Sequence, residues 1–371
     1  MIIAVNARFF GDPTHDNGNF MAECFSRITE KYPQHQFIYI NDKPFDKNTG
    51  FAKNVLTVIS GTETKNPVLW QYWLNYRMPS LLKKYKADVL VNINGVCSLR
   101  TKLPQCLFVR DLTYLQYPKL IEKKDAYFFK KSTPLFLAKA KTIATTSSFF
   151  RSAIIDQYRI SDNKIEVALP GIDEVFKPLS PEEKEKLKGA YADGKEYFLF
   201  TGNIDLSSNL VNLLKAFSFF KKRQKSNMML LIAGKPGEQF ITLLKTFKFR
   251  NEVVLLKTLP KEELAKITAA AYALVHPVLY DGTASSPLQA MQCEVPVITA
   301  GTGVLPELCG DAALYCNQDD FEDIAEKMML IFKNEDKSMA LVKSGKIRSQ
   351  HYNWNKTADL LWDSILKAVN N

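Results

Sequence analysis

Short apolar runs alternate with longer stretches in which apolar positions recur every three or four residues. Ile2–Asn6 reads as a buried strand, a Gly/Asp/Pro/Asn loop runs from Gly11 to Gly18, and Phe20, Met21, Cys24, Phe25 and Ile28 then fall at helical spacing. Further strands are predicted at Phe37–Ile40, Val55–Ile59, Val89–Ile93, Leu107–Val109 and Ile143–Thr145, with helices over Leu69–Lys84 and Phe150–Tyr158. The stretch Leu169–Glu183, with Pro170, Gly171, Pro178 and Pro181, interrupts this rhythm and reads as a linker. The alternation then resumes. Strands are predicted at Tyr197–Thr201, Leu230–Ala233, Val253–Leu256, Ala273–His276 and Val297–Thr299. Helices are predicted at Asn209–Lys222, Glu262–Ala271, Pro287–Gln292, Phe321–Lys333 and Thr357–Val369.

Apolar strands alternating with helices indicate parallel sheets covered on both faces. The fold class expected is α/β, as two tandem Rossmann-like, doubly wound domains with a cleft between them. The expected division is 1–172, 173–352, and a last helix in 353–371 packing back toward the first domain. Ligands of open α/β sheets bind at the carboxyl ends of the strands, so the loops after strands are where chemistry is sought.

Four such loops stand out. Gly18 and Asn19 lie where the first helix opens, as an anion site or an ordinary capped turn. Ser207, Ser208 and Asn209 precede an amphipathic helix, which they cap or whose free N-terminus takes a phosphate. In Tyr280–Gln289, Asp281, Gly282, Thr283 and Ala284 lead into a helix with Pro287 at its first position. There Asp281 and Gln289 either face the cleft or serve as a turn former and a surface residue. Gly301–Glu307 follows the next strand, with Glu307 near a helix start. In the first domain, Arg110–Asp111 after Leu107–Val109 is either a site or a local ion pair or cap.

At 371 residues, 46% hydrophobic and 24% charged, the chain is globular rather than disordered or collagenous. No apolar run approaches a membrane span and no signal peptide is visible, so a cytoplasmic location is expected. Six cysteines without a C-x-x-C pair suit buried, reduced thiols. Four histidines without H-x-x-x-H spacing argue against a zinc site, and no metal is expected. The net charge is +10, from 49 Lys and Arg against 39 Asp and Glu. Seven lysines against Glu122 and Asp125 concentrate in 119–141 among Phe128, Phe129, Leu135, Phe136 and Leu137. That segment is either a peripheral docking surface for the inner face of an anionic membrane or a solvated helix over its own core. Trp70, Tyr72, Trp73 and Tyr76 either stack on sugar rings or fill the core. No nucleic-acid module appears.

Taken in order, these loops resemble the group 1 (family 4) retaining glycosyltransferases, which have the GT-B fold. The likeness covers nearly the whole length. IAVNAR at Ile3–Arg8 looks like the family's opening strand and D-A-R, and Asn17–Phe20 sits where it has a Gly-rich turn. VRDL at Val109–Leu112 looks like V-H-D-L. VALPGIDEVFKP at Val167–Pro178 is similar to V-x-P-N-G-V-D-x-x-x-F-x-P. GN and NLVNLLKAF within Gly202–Phe217 resemble G-R-x-x-x-R-K-N-L-x-x-L-L-x-A-F. LIAGKPG at Leu231–Gly237 is a further element. YDGTASSPLQAMQCEVPVIT at Tyr280–Thr299 looks like Y-E-G-F-G-L-P-x-L-E-A-M-A-C-G-x-P-V-I, and PELCGDAA at Pro306–Ala313 like P-E-x-x-G-D-A-A.

The resemblance implies a nucleotide-sugar donor held mainly by the second domain and a glycan or lipid-linked acceptor held by the first. It implies retention by front-face displacement, in cell-surface polysaccharide or glycolipid synthesis, with no cofactor. Carried onto this chain, it assigns catalysis to Arg110, Asp111 and Asp281. Donor binding falls to Gly18, Gly202, Asn203, Ser207, Ser208, Lys235, Gly282, Thr283, Ala284, Gln289 and Glu307. Six positions depart from the pattern. Ser207 and Ser208 replace the family's Arg-Lys pair, Asp281 and Gln289 replace its two glutamates, Arg110 replaces the V-H-D histidine, and Glu294 stands where a glycine follows the cysteine. Arg110 and Lys235 are candidate replacement cations. A second reading is therefore a catalytically impaired paralogue that binds a nucleotide, a glycan or a partner. A nicotinamide dehydrogenase is disfavoured by the missing GxGxxG.

Overall fold

The computed structural model describes residues 1–8, 10, 16–45, 50–61, 64, 66–257 and 259–370. They form two compact units: Met1–Gly171 with the C-terminal segment from Trp354 on, and Ile172–Asn353.

The first unit runs β1 (Ile2–Asn6), α1 (Asp16–Lys31), β2 (Gln36–Asn41), β3 (Val55–Ile59), α2 (Pro67–Lys84), β4 (Val89–Asn92), β5 (Gln105–Val109), α3 (Thr113–Gln116), α4 (Lys123–Lys139), β6 (Thr142–Thr145), α5 (Ser148–Tyr158) and β7 (Ile165–Val167). The second runs α6 (Pro181–Ala192), β8 (Tyr197–Thr201), α7 (Leu210–Gln224), β9 (Met229–Ala233), α8 (Glu238–Thr246), β10 (Val253–Leu256), α9 (Lys261–Ala269), β11 (Ala273–His276), α10 (Ser285–Gln292), β12 (Val297–Ala300), α11 (Leu305–Cys309), β13 (Ala313–Cys316), α12 (Phe321–Lys333) and α13 (Glu335–Ser349). The last helix, α14 (Trp354–Asn370), belongs to the first unit.

Both sheets are parallel throughout. The first has the order β3-β2-β1-β4-β5-β6-β7 and the second β10-β9-β8-β11-β12-β13. The order reverses between β1 and β4 in one and between β8 and β11 in the other, and these switch points open a crevice beyond the strand ends. β1 pairs with both β2 and β4 (Ile3 opposite Phe37 and opposite Val89), so its apolar residues are buried on both faces.

Local chemistry explains the element ends. α2 starts where Asn66 accepts from the backbone N–H of Val68 and Leu69, with Pro67 in the first turn. α6 opens on a capping box between Ser180 and Glu183. The expected linker therefore stops at Ser180, because its last proline starts a helix rather than breaking one. α10 begins at Ser285, two residues before Pro287, so Pro287 is not the first helical residue and Gln289 lies in the second turn. β7, β13, α6, α8 and α13 were not anticipated; the two strands are short, and α13 has no marked apolar face.

α14 completes the first core. Leu361, Trp362, Ile365 and Ala368 are buried in it, the Trp362 ring stacks on Tyr32 at 4.2 Å, and Thr357 Oγ1 donates to the Leu169 carbonyl at 2.6 Å. Gly171 lies so close to this helix that a Cβ would fall 2.4 Å from the Trp354 ring. All six cysteines are free and buried, and burial pushes the Cys293 and Cys316 thiols up to about 12.

Candidate functional site

In the second unit, the loops after β8, β9, β11 and β12 converge at the switch point. The backbone N–H of Leu279 donates to the Ser207 carbonyl at 2.8 Å, and Ser286 Oγ donates to the Thr201 carbonyl at 3.1 Å. Gly202 N–H donates to the Ala233 carbonyl at 3.2 Å. Gly234, at φ +156°, approaches so closely that a Cβ would lie 2.4 Å from the Gly202 carbonyl oxygen. A glycine is required there because no side chain fits.

Ser207, Ser208 and Asn209 do not cap α7 with their side chains. Asp205 organises the turn instead, accepting from Ser207 N–H at 2.7 Å, while Ser208 Oγ donates to the Asp205 carbonyl at 2.6 Å and is 2% exposed. Asn209 adopts a left-handed conformation, and its amide donates to the carbonyls of Pro277 at 2.8 Å and Gln318 at 2.7 Å. It thereby ties the β8 loop to the β11 loop.

Asp281 is the hub of the β11 loop. Oδ2 accepts from His276 Nε2 at 2.9 Å, and Oδ1 accepts from the N–H groups of Thr283 at 2.8 Å and Ala284 at 2.9 Å. Burial by itself would raise its pKa. The hydrogen bond and charge of His276 and the two backbone N–H groups outweigh it and hold the carboxyl below the usual carboxylate range. Both its oxygens accept from protein donors, so Asp281 organises this turn. Ala284, held at φ +51°, stands where the resembling motif has glycine.

His276, met in the sequence only as a strand end, is 4% exposed and stacks on Phe200 at 5.6 Å. Because a carboxylate only accepts, Nε2 carries the proton toward Asp281, and Nδ1 is buried without a partner among the described residues. Gly202, Asn203 and Lys235 are exposed at strand ends, and Gly282 lies half-buried in the Asp281 turn. Gln289 is half-buried on α10. Glu307 is in α11, where its carbonyl accepts from Arg348.

In the first unit, Arg110 follows β5, half-buried, with its guanidinium 5.5 Å from the Phe20 ring centroid. Asp111 is exposed and accepts from Thr113 N–H at 2.7 Å, in the turn that leads into α3. Gly18 lies in the first turn of α1; most of the loop before it, 11–15, falls outside the described residues. Trp70 is buried, whereas Tyr72 is 62% exposed. On α4, Tyr127 is 68% and Leu135 54% exposed, beside exposed Lys123, Lys124, Lys130 and Lys131. Among the described residues no three His, Cys, Asp or Glu side chains cluster as metal ligands would, and no helix is long and apolar enough to cross a membrane.

The sequence pattern described as "Glycosyl transferases group 1" matches residues 181–348. O-antigen chain mannosyltransferase B of Escherichia coli is 25% identical over 248 residues, 66% of this chain and 65% of that protein. This chain thus spans just under two thirds of that relative. O-antigen chain mannosyltransferase RfbU of Salmonella typhimurium is 24% identical over 276 residues, covering 72% of this chain and 71% of the relative. Among solved structures, WaaG, titled a glycosyltransferase involved in lipopolysaccharide biosynthesis, superposes with a TM-score of 0.78 at 15% identity, over 98% of this chain and 99% of that one. HepE from Anabaena, in complex with UDP-glucose, gives 0.76 at 14% identity, over 98% and 99%.

Proposed function

Residues 181–348 form a group 1 glycosyltransferase domain within a GT-B fold, and from that premise we propose that the chain transfers a sugar from a nucleotide-sugar donor to a glycan or lipid-linked acceptor. The reaction retains anomeric configuration and serves cell-surface polysaccharide or glycolipid synthesis. The observation that carries this reading is the convergence of the β8, β9, β11 and β12 loops at the switch point of the second sheet. Nucleotides bind at such crevices.

The donor sits on the second unit and the acceptor on the first. The acceptor hydroxyl attacks the anomeric carbon on the face from which the diphosphate leaves, and a leaving phosphate oxygen takes the hydroxyl proton. The chemical demand is stabilisation of the leaving diphosphate. Ser207 and Ser208 bring no charge to it. On this reading the second unit stabilises it through Lys235, which is exposed after β9, and through the N-terminus of α10, which begins at Ser285. Asp281 acts by shaping the turn and orienting His276. The basic face of α4 brings the enzyme to an anionic membrane carrying a lipid-linked acceptor.

A thermal-shift series with nucleoside diphosphates and nucleotide sugars tests the reading, mannose donors first because two relatives are named mannosyltransferases. A ligand at a hundred times its Kd stabilises the fold by about 2.7 kcal/mol, readily seen as a higher Tm. Binding followed by transfer to a glycan supports an enzyme. Binding without turnover supports the impaired paralogue, and no shift with any nucleotide removes the enzyme and leaves a paralogue that binds a glycan or a partner.

A further inference from the structure

Four strands end the two sheets: β3 and β7 in the first, β10 and β13 in the second. β7, β10 and β13 have three or four residues, and each has a buried residue and no exposed one. β3 differs. It spans five residues, Val55–Ile59, none of them buried, and Leu56, Thr57 and Ile59 are exposed, Leu56 by 40% and Ile59 by 58%. An open strand edge is a template for another strand, and proteins that leave it unused blunt it with charge, proline or a bulge. The strand VLTVI has no charge and no proline, and its register against β2 runs unbroken from Phe37 opposite Val55 to Asn41 opposite Ile59.

The backbone of this edge is set to pair. Phe37 N–H donates to the Asn54 carbonyl at 2.9 Å, and Ser60 N–H to the Asn41 carbonyl at 2.8 Å, so the even-numbered residues of β3 face β2. By the alternation of a ladder, Thr57 and Ile59 turn their N–H and C=O groups outward. Among the described residues β2 is the only strand beside β3. The strand is also complementary to itself. Laid antiparallel on a second copy about Thr57, it sets Val55 against the partner's Ile59, Leu56 against the partner's Val58, and Thr57 against the partner's Thr57. These are apolar pairs and a Thr–Thr pair, of the kind that stabilises sheets. Charge favours the same occupant. A chain with a net charge of +10 repels its own copy unless the two meet at a neutral surface. Between Lys53 and Arg77 the sequence holds one acid and one base, Glu63 and Lys65.

We propose that β3 joins two copies of this chain edge to edge, as an isologous antiparallel seam that makes one sheet of the two first units. Thr57 sits on the two-fold axis. Each Thr57 N–H donates to the carbonyl of the partner's Thr57, and each Ile59 N–H to the carbonyl of the partner's Val55. A five-residue seam is smaller than the ~800 Å² per partner of a standard interface, so the dimer dissociates in the micromolar rather than the nanomolar range.

Sedimentation velocity on the full chain, from about 1 to about 200 µM, tests the proposal. The wild type should pass from monomer to dimer across that range. Thr57→Lys sets two ammonium groups against each other on the axis, and Thr57→Glu two carboxylates. Each alone should raise the dissociation constant at least about tenfold. An equimolar mixture of the two should dimerise again, because a two-fold seam brings position 57 of one copy against position 57 of the other. Thr57→Pro, which removes an N–H that β2 does not use, should also remain monomeric. Both charged variants should keep the wild-type Tm at the lowest concentration, where the seam is open. A wild-type monomer throughout, dimers in either charged variant alone or in Thr57→Pro, or a mixture that stays monomeric would each overturn the proposal. So would species growing beyond the dimer, which mark a head-to-tail contact that does not close.

Discussion

Nε2 of His276 lies 2.9 Å from Oδ2 of Asp281, and this pair anchors the loop between β11 and α10. The other carboxylate oxygen holds the backbone of Thr283 and Ala284, so one side chain fixes both the strand end and the helix start.

Asp281→Asn keeps the shape but sets an amide N–H against the imidazole N–H. It should cost about 2–4 kcal/mol at neutral pH, by leaving buried donors poorly paired. Because the folded carboxyl titrates below its ordinary value, its stabilisation is present above about pH 4 and is lost as pH falls through the folded pKa. Tm measured against pH for both chains should therefore show a gap at pH 7 that narrows below about pH 4. A gap constant down to pH 2.5 would refute this account.

Ala284 adopts φ +51°, a region that costs a residue with a Cβ roughly 1–2 kcal/mol. Ala284→Gly should relieve that strain against the larger unfolded-state entropy of glycine, a net gain of about 0.5–1 kcal/mol in urea denaturation. A loss of stability would mean that the Cβ packs usefully.

Ser207 and Ser208 answer differently to restored charge. Ser207 is half-buried, and Ser207→Arg should tighten nucleoside diphosphate binding about tenfold, since a charge-assisted hydrogen bond contributes roughly 1.5–3 kcal/mol. Ser208 is buried, so Ser208→Lys places an ammonium out of water and should lower Tm. Calorimetric titration and melting of each single variant would check both directions.

The contact between Trp362 and Tyr32 makes α14 part of the first core. Trp362→Ala should destabilise that unit by about 3–5 kcal/mol. Hydrogen exchange should then show faster opening of β1 and β2 than of β8 and β9. Equal acceleration in both sheets would contradict this division.

Tyr127 and Leu135 stand exposed on α4 among lysines. The chain should therefore pellet with vesicles containing phosphatidylglycerol at low salt, and release at high salt as exposed charges become screened beyond ~10 Å at 0.1 M. Lys130→Glu with Lys131→Glu should abolish pelleting. Equal recovery with neutral vesicles would leave α4 as a solvated helix.

The doubly wound class was legible because buried parallel strands are written as contiguous apolar runs, and Ile2–Asn6, Tyr197–Thr201 and Ala273–His276 stand where those runs placed them. Helices with a strong apolar stripe, such as Phe321–Lys333, were equally plain. β7, with three residues, and α13, with little periodicity, carried too weak a local signal. For the candidate site, the sequence determined which loops to examine, since the strand-then-loop order is local. It did not determine what each side chain does there. Asp281 could serve a ligand or its own turn until His276 and two backbone N–H groups were seen to occupy its oxygens. Ser208 looked like a helix cap until its burial beneath Asp205 was visible. Val55–Ile59 was legible as a strand, but only the pairing order places it at the edge of its sheet. Hydrogen-bond satisfaction is a property of three-dimensional neighbours, whereas periodicity is a property of the chain, and that difference separates what the sequence alone determined from what the tertiary structure decided.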